Sequence, residues 1–318
     1  MASQAGSIRD RFRGCLLGLA VGDALGTTVE FQPRGTFEPI TDIVGGGPFG
    51  LAPGQWTDDT SMALCLATSL IECRGFDARD QMERYCRWWR EGYLSSTGTC
   101  FDIGNTVAAA LQRYLLTGDP YAGPTHPMSA GSGCIMRLAP VALFSYPDLE
   151  RAERYAAESS RTTHGATECL DAARLLARIL VRALLGRPKE DVLLGDRDSF
   201  CGSEKLVALA KGSYLRKSGE EIRGTGYVVD CLEAALWCFA KASDFREAVL
   251  MAVNLGDDAD TTGAVCGQVA GAFWGESSIP KDWLARLHMA DEIRRIADEL
   301  WALHEEEPAG MGGFSAAS

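Results

Sequence analysis

The sequence lacks most of the features that point directly to a function. It has no Cys-x-x-Cys pair, so its eleven cysteines do not outline a zinc ribbon or a dithiol redox motif. Their odd number and their scatter through apolar patterns argue for buried free thiols in a reducing compartment. There is no basic surplus: 31 Lys and Arg stand against 43 Asp and Glu, a net charge of −12. That excludes a partner held by its phosphate backbone, because nucleic-acid binding needs a basic face. No apolar run approaches membrane-spanning length, and the start, Met1-Ala2-Ser3-Gln4-Ala5-Gly6-Ser7, lacks the basic-then-apolar order of a signal segment. The expectation is a cytoplasmic monomer with neither nucleic acid nor membrane as partner. Strict apolar–polar alternation is missing, as are Asn-Gly or Asp-Gly turns between β-rich runs. No His-Glu-x-x-His, Gly-x-Ser-x-Gly or Gly-Lys-Ser/Thr phosphate loop occurs either.

What is present is helical periodicity. Phe12, Cys15, Leu16 and Leu19 fall at i, i+3, i+4 and i+7. Similar patterns run through Met62–Leu70, Met82–Trp89, Val107–Leu115, residues 165–185, residues 227–240 and a final stretch of about 281–304. The spacing predicts an all-α protein of ten or more helices in one compact domain over residues 7–304, with tails at 1–6 and 305–318. Residues 32–56, rich in Gly and Pro, read as a long ordered loop at the rim of a site. Two glycine stripes recur every fourth residue, at Gly14, Gly18, Gly22 and Gly26 and at Gly263, Gly267, Gly271 and Gly275. Such stripes cost helix propensity, so something must approach those backbones closely. The two helices that carry them are expected to cross at the core.

The chemistry gathers in two acidic clusters, each placed where an apolar helical pattern begins. Thr57-Asp58-Asp59-Thr60 is one; Asp257-Asp258-Ala259-Asp260-Thr261-Thr262 is the other. A helix start needs one capping oxygen, and a dipole of about half an elementary charge does not offset this many carboxylates. Together the clusters favour hard cations such as Mg²⁺ or Mn²⁺, which take carboxylate and hydroxyl oxygens. Glu30 and Asp102, beside Gly-rich loops, are candidates for proton transfer. Ser129-Ala130-Gly131-Ser132-Gly133-Cys134-Ile135-Met136-Arg137 is a small-residue turn able to cradle a phosphate on its backbone N–H groups, or else a plain cap. His164 lies at a junction between two helical patterns.

These stretches, from Gly14 to about Arg295, resemble the ADP-ribosylglycohydrolase family, in particular its bacterial dinitrogenase-reductase-activating branch. The resemblance is carried by Gly18-Leu19-Ala20-Val21-Gly22-Asp23-Ala24-Leu25-Gly26 with Glu30, Gln55 to Thr60, Phe101 to Thr106, Gly131 to Pro140, Thr163-His164, Tyr227 to Asp230, and Asn254 to Gly263. It implies an all-α fold around a binuclear Mg²⁺ or Mn²⁺ cleft that binds ADP-ribose. It assigns Thr57, Asp58, Asp59, Asp258, Asp260 and Thr261 as metal ligands, with Asp257, where many relatives have glycine, behind them. It places Gly131, Ser132, Gly133, Cys134, Met136, His164 and Tyr227 around the substrate, and gives Glu30 and Asp102 the proton transfers. The implied reaction is hydrolysis of the bond from ribose C1 to a modified side chain, arginine before serine or a free derivative such as O-acetyl-ADP-ribose. A catalytically silent binding member and a phosphotransfer enzyme are the readings from other classes. The first has no need of mutually repelling carboxylates, and the second lacks a Lys/Arg clamp beside either cluster.

Overall fold

A computed structural model describes residues 7–306. Among them are fourteen α-helices and no sheet, only isolated bridges such as Gly131 with Tyr227. The first seven helices are α1 (Ile8–Gly26), α2 (Asp58–Cys73), α3 (Ala78–Glu91), α4 (Asn105–Thr117), α5 (Ala139–Ser145), α6 (Leu149–Thr163) and α7 (Thr167–Leu184). The rest are α8 (Lys189–Leu194), α9 (Glu204–Ala210), α10 (Val228–Lys241), α11 (Phe245–Val253), α12 (Ala259–Trp274), α13 (Lys281–Arg286) and α14 (Ala290–Glu306). The expected tail at 1–6 and most of that at 305–318 lie outside the described residues, and Glu305 and Glu306 close α14.

The two glycine stripes meet. A Cβ built on Gly14 would strike the carbonyl of Gly271, and Gly18 faces Gly267, Gly22 faces Gly263 and Gly26 faces Ala259 in the same way. The numbers rise on one helix as they fall on the other, so α1 and α12 run antiparallel with backbone against backbone. Around this pair α2, α7, α10, α11 and α14 close the main core, with Phe12, Leu16, Leu176, Phe239 and Phe245 among its buried side chains. A second core, built on Met62, Tyr85, Trp88, Leu111 and Tyr114, fills the space between α2, α3 and α4.

Ordinary capping accounts for several helix starts. Ser7, Asp77, Asp148 and Asp244 each accept N–H bonds from the first turns of α1, α3, α6 and α11. At α4 Gly104 takes the cap position without a side-chain bond, and Asp102 sits upstream at φ 59°. The final helix also differs from its expected single span. It breaks between α13 and α14, where Met289 adopts φ 57°. Tertiary bonds hold the break: His288 N donates to the Gly54 carbonyl at 2.9 Å, and Trp56 Nε1 donates to the His288 carbonyl at 3.0 Å. These bonds anchor the end of the loop that leads into α2.

Gly267→Ala tests the helix contact. Alanine gains about 1 kcal/mol of helix propensity, but its methyl meets the Gly18 carbonyl, and overpacking costs about 1–3 kcal/mol or more where backbone cannot yield. The expected outcome is a net loss of about 2 kcal/mol in urea unfolding. Gly75→Ala, whose methyl meets nothing closer than 3.9 Å, should stay within about 0.5 kcal/mol of the parent.

Candidate metal centre and substrate cleft

The α1–α12 contact sets the site because each helix delivers acidic groups to the same end of it. Asp23, in the last turns of α1, is fully buried. Its Oδ1 accepts from Thr57 N at 2.9 Å and Thr57 Oγ1 at 3.0 Å, and its Oδ2 from Thr60 N at 3.0 Å and Thr60 Oγ1 at 2.6 Å. Asp23 therefore caps α2 from another helix. That leaves Asp58 and Asp59, the first residues of α2, without a capping duty. The same holds at α12, where Asp258 occupies the N-cap position but makes no side-chain cap bond. Its Oδ2 accepts instead from Ser132 Oγ at 3.0 Å. The carboxylates at both helix starts are thus free for something other than capping.

They converge. Thr57 Oγ1 lies 3.4 Å from Asp260 Oδ2, and Thr261 Oγ1 lies 3.4 Å from Asp59 Oδ1, so the two clusters touch across about two hundred positions of sequence. One carboxylate oxygen from each of Glu30, Asp102 and Asp260 lies within 4.8 Å of the others. Glu30 leaves a 3-10 turn that follows α1, and Asp102 leaves the loop before α4. Burial first, then Asp102 and Asp258, push the Glu30 carboxyl up to about 9; burial, then Asp23 and Asp258, push Asp102 up to about 7. Asp58, Asp59 and Asp260 are raised well above the carboxylate range by burial and by the acidic groups around them, Asp102 and Glu30 among these, and burial raises Asp258 as well. Glu30 Oε2, Asp59 Oδ2 and Asp260 Oδ1 are buried and have no hydrogen-bond partner. Orphaned, crowded carboxylate oxygens with a threonine hydroxyl among them are the donor set of a hard divalent cation. The acidic cluster fits one.

The cleft around this cluster has a volume of about 970 Å³. Glu30, Asp58, Asp59, Asp102, Gly131, Ser132, Gly133, Met136, His164, Asp258, Asp260 and Thr261 all line it, and among the described residues no Lys or Arg does. Three expected site residues do not. Thr57 is fully buried against Asp23. Cys134 is buried behind the glycine turn, with its thiol donating to the Cys169 carbonyl at 3.6 Å. Tyr227 holds the turn through its backbone bridge to Gly131, while its hydroxyl lies between Lys205 Nζ at 2.7 Å and Glu168 at 2.5 Å. Cys134 and Tyr227 thus support the turn from outside the cleft. The small-residue stretch runs through 3-10 turns at Pro127–Ser129 and Ser132–Cys134 before α5 begins.

Sequence reasoning gave Asp23 no role, although a lone carboxylate within a glycine stripe was the signal available for it. Asp257, expected behind the ligands, lines the cleft itself at φ 55°. Phe31, two-thirds exposed and at φ 63°, stands beside it, tied by Phe31 N donating to the Asp257 carbonyl at 2.8 Å.

A model of the ADP-ribosylglycohydrolase family matches residues 4–310. The chain belongs to that family. It is 43% identical over 298 residues to an ADP-ribosylarginine hydrolase of Serratia proteamaculans, covering 94% of this chain and 81% of the relative. It is 35% identical over 303 residues to the ADP-ribosyl-[dinitrogen reductase] glycohydrolase of Rhodospirillum rubrum, covering 93% and 97%. A solved structure described as an ADP-ribosylglycohydrolase-related protein complex superposes with a TM-score of 0.83 at 45% identity, covering 93% of this chain and 99% of that one. The family resemblance read from the motifs therefore holds. As an ADP-ribosylglycohydrolase, the protein is a glycosidase-type hydrolase of ADP-ribose linkages.

Adding Mg²⁺ or Mn²⁺ to EDTA-treated protein should raise the melting temperature, because the cation relieves repulsion among the carboxylates. Asp23→Asn keeps one accepting oxygen and turns the other into an N–H donor that faces a backbone N–H and a threonine hydroxyl. It should cost about 2–4 kcal/mol and shrink the metal-induced rise in a thermal-shift titration, although Asp23 does not line the cleft. His164 gives a pH test. Burial, and secondarily Arg137, push its ring down to about 3, against about 6.5 in an unfolded chain. Stability is then present above pH 6.5 and lost as pH falls toward 3, since only the unfolded state readily takes the proton. His164→Gln removes that contribution, so between pH 6.5 and 5 it should lose about 1.5 kcal/mol less than the parent.

Proposed function

We propose that the protein removes ADP-ribose from arginine side chains of modified proteins, with two Mg²⁺ or Mn²⁺ ions held by Thr57, Asp58, Asp59, Asp258, Asp260 and Thr261. The observation that carries this reading is a deep acidic cleft with no Lys or Arg in its lining. Such a field suits a guanidinium on its way out. It is supported by two relatives, from Serratia proteamaculans and from Pseudomonas putida, that are named ADP-ribosylarginine hydrolases and match over more than nine-tenths of this chain.

Bound in the cleft, hard cations would supply Lewis acidity and a template for the ribose hydroxyls and a water. The chain's own groups do the rest. Gly131, Ser132 and Gly133 shape the seat of the diphosphate: Gly131 N and Ser132 N donate to the Ser129 and Gly226 carbonyls and fix the turn, Gly133 N–H faces the diphosphate, and Met136 and His164 lie beside them. Glu30, the carboxyl held higher by burial and by its acidic neighbours, gives a proton to the departing guanidine. Asp102, with the lower of the two pKa values, takes the proton of the attacking water as the C1–N bond breaks and the C1–O bond forms. Two carboxyls pushed to different pKa values by one environment is the pattern that separates acid from base. We assign residues 7–304 to one catalytic domain, working as a cytoplasmic monomer, in keeping with its free thiols.

The test is release of ADP-ribose from an arginine-ADP-ribosylated protein with Mg²⁺, with Mn²⁺ and with EDTA. Release with a cation, abolished by EDTA, is the expected result, and Glu30→Gln should slow it about 10²–10⁴-fold. No release, from protein that binds ADP-ribose, would transfer the activity to serine-linked or free O-acetyl-ADP-ribose.

A further inference from the structure

Beneath the cleft floor lies a charge that the proposed chemistry does not use. Arg137, six residues beyond Gly131, is fully buried, yet no carboxylate pairs with it among the described residues. Its Nη2 donates to the Thr163 hydroxyl at 2.7 Å, with weaker contacts at 3.3 Å to the Ser159 carbonyl and the Thr162 hydroxyl. Its guanidinium carbon sits 4.7 Å from the centre of the Tyr85 ring, and its Nε has no partner. Burying an unpaired cation is costly, so its retention calls for a reason.

The reason lies one bond further on. Thr163 Oγ1 is 2.9 Å from His164 Nδ1. Arginine is only ever a donor, so the hydroxyl accepts from Arg137. Its own hydrogen then has one acceptor among the described residues, His164 Nδ1. A proton on Nδ1 would leave that buried hydroxyl hydrogen without a partner. The ring's backbone is also fixed, with His164 N donating to the Ser160 carbonyl at 2.6 Å and Ser160 Oγ donating to the His164 carbonyl at 2.8 Å. The ring lies flat along the glycine turn: a Cβ on Gly133 would fall 2.6 Å from His164 Cε1, and one on Gly131 would fall 3.4 Å from Nε2. We infer that Arg137 and Thr163 are positioning residues that hold His164 as its Nε2–H tautomer, so that the ring offers a fixed N–H donor to an anionic group lying on the Gly131–Gly133 turn. The turn, Arg137, Thr163 and His164 form a closed circuit that starts and ends at the same few residues. The buried guanidinium adds positive potential under the turn, in a cleft whose other charges are all negative.

The anion in question is the diphosphate of ADP-ribose, so this inference rests on the substrate reading above. Its first readout does not. In ¹⁵N-histidine NMR of the Mg²⁺-loaded protein, which has four histidines, His164 should show a protonated Nε2 and an unprotonated Nδ1. Thr163→Val removes the hydroxyl at constant shape and should mix the two tautomers. It should also weaken ADP-ribose binding by calorimetry about ten- to a hundredfold, the range for one hydrogen bond to a charged group. Turnover at saturating substrate should change much less, and Thr163→Ser should restore tautomer and affinity together. A proton on Nδ1 in the parent protein overturns the inference, as does a Thr163→Val variant with unchanged tautomer and affinity. Parent protein with the expected tautomer but no affinity for ADP-ribose overturns the substrate reading and, with it, the assigned role of the N–H.

Discussion

The contact between α1 and α12 leaves no space for a methyl group at Gly14, Gly18, Gly22 or Gly26, and the position of the acidic groups follows from it. Glu30 emerges from the turn beyond α1, while Asp258 and Asp260 begin α12, and the antiparallel pairing brings those two ends together. A helix pair spaced by ordinary side chains sits about 8–10 Å apart and tolerates sliding between ridges and grooves. Here carbonyl oxygens of one backbone fill the glycine gaps of the other, which removes that freedom. Precision in a site of crowded charges is set by the scaffold, because the charges themselves push apart.

Charge management in the cleft follows from one substitution of duty. Helix starts ordinarily consume their own aspartates, as α3, α6 and α11 do. At α2 the duty passes to Asp23, reaching across from α1, and at α12 the carboxylate of Asp258 turns to Ser132. Capping from outside keeps the N–H groups satisfied while releasing several carboxylates into one volume. The repulsion this creates is held by the buried framework around it, and a cation would relieve it.

Much of this was legible in the sequence, and the limits are instructive. The glycine stripes announced the helix crossing because only a close backbone approach justifies glycine every fourth residue within a helix. The acidic clusters announced a site because their charge exceeds what a cap requires. The break between α13 and α14 was not legible: it comes from His288 and Trp56 bonding across the fold, and nothing local marks it. The meeting of Glu30, Asp102 and Asp260 was legible through the family resemblance and not from spacing, since it depends on a loop residue at positive φ. Cys134 and Tyr227 shared segments with residues that line the cleft, but proximity in sequence did not give them a place in its wall. Asp23, within an apolar helix, showed no spacing that tied it to Thr57.

The glycine ladder and the carboxylates are separable under mutation. Loss of one cleft-lining aspartate should remove chemistry and leave the helices packed; loss of one ladder glycine should strike the packing itself, even with every carboxylate present. A descendant of this chain that drifted away from catalysis would be free to shed its acidic clusters, and would keep the glycines for as long as it folded. The ladder is thus a record of ancestry, and the aspartates a record of present employment.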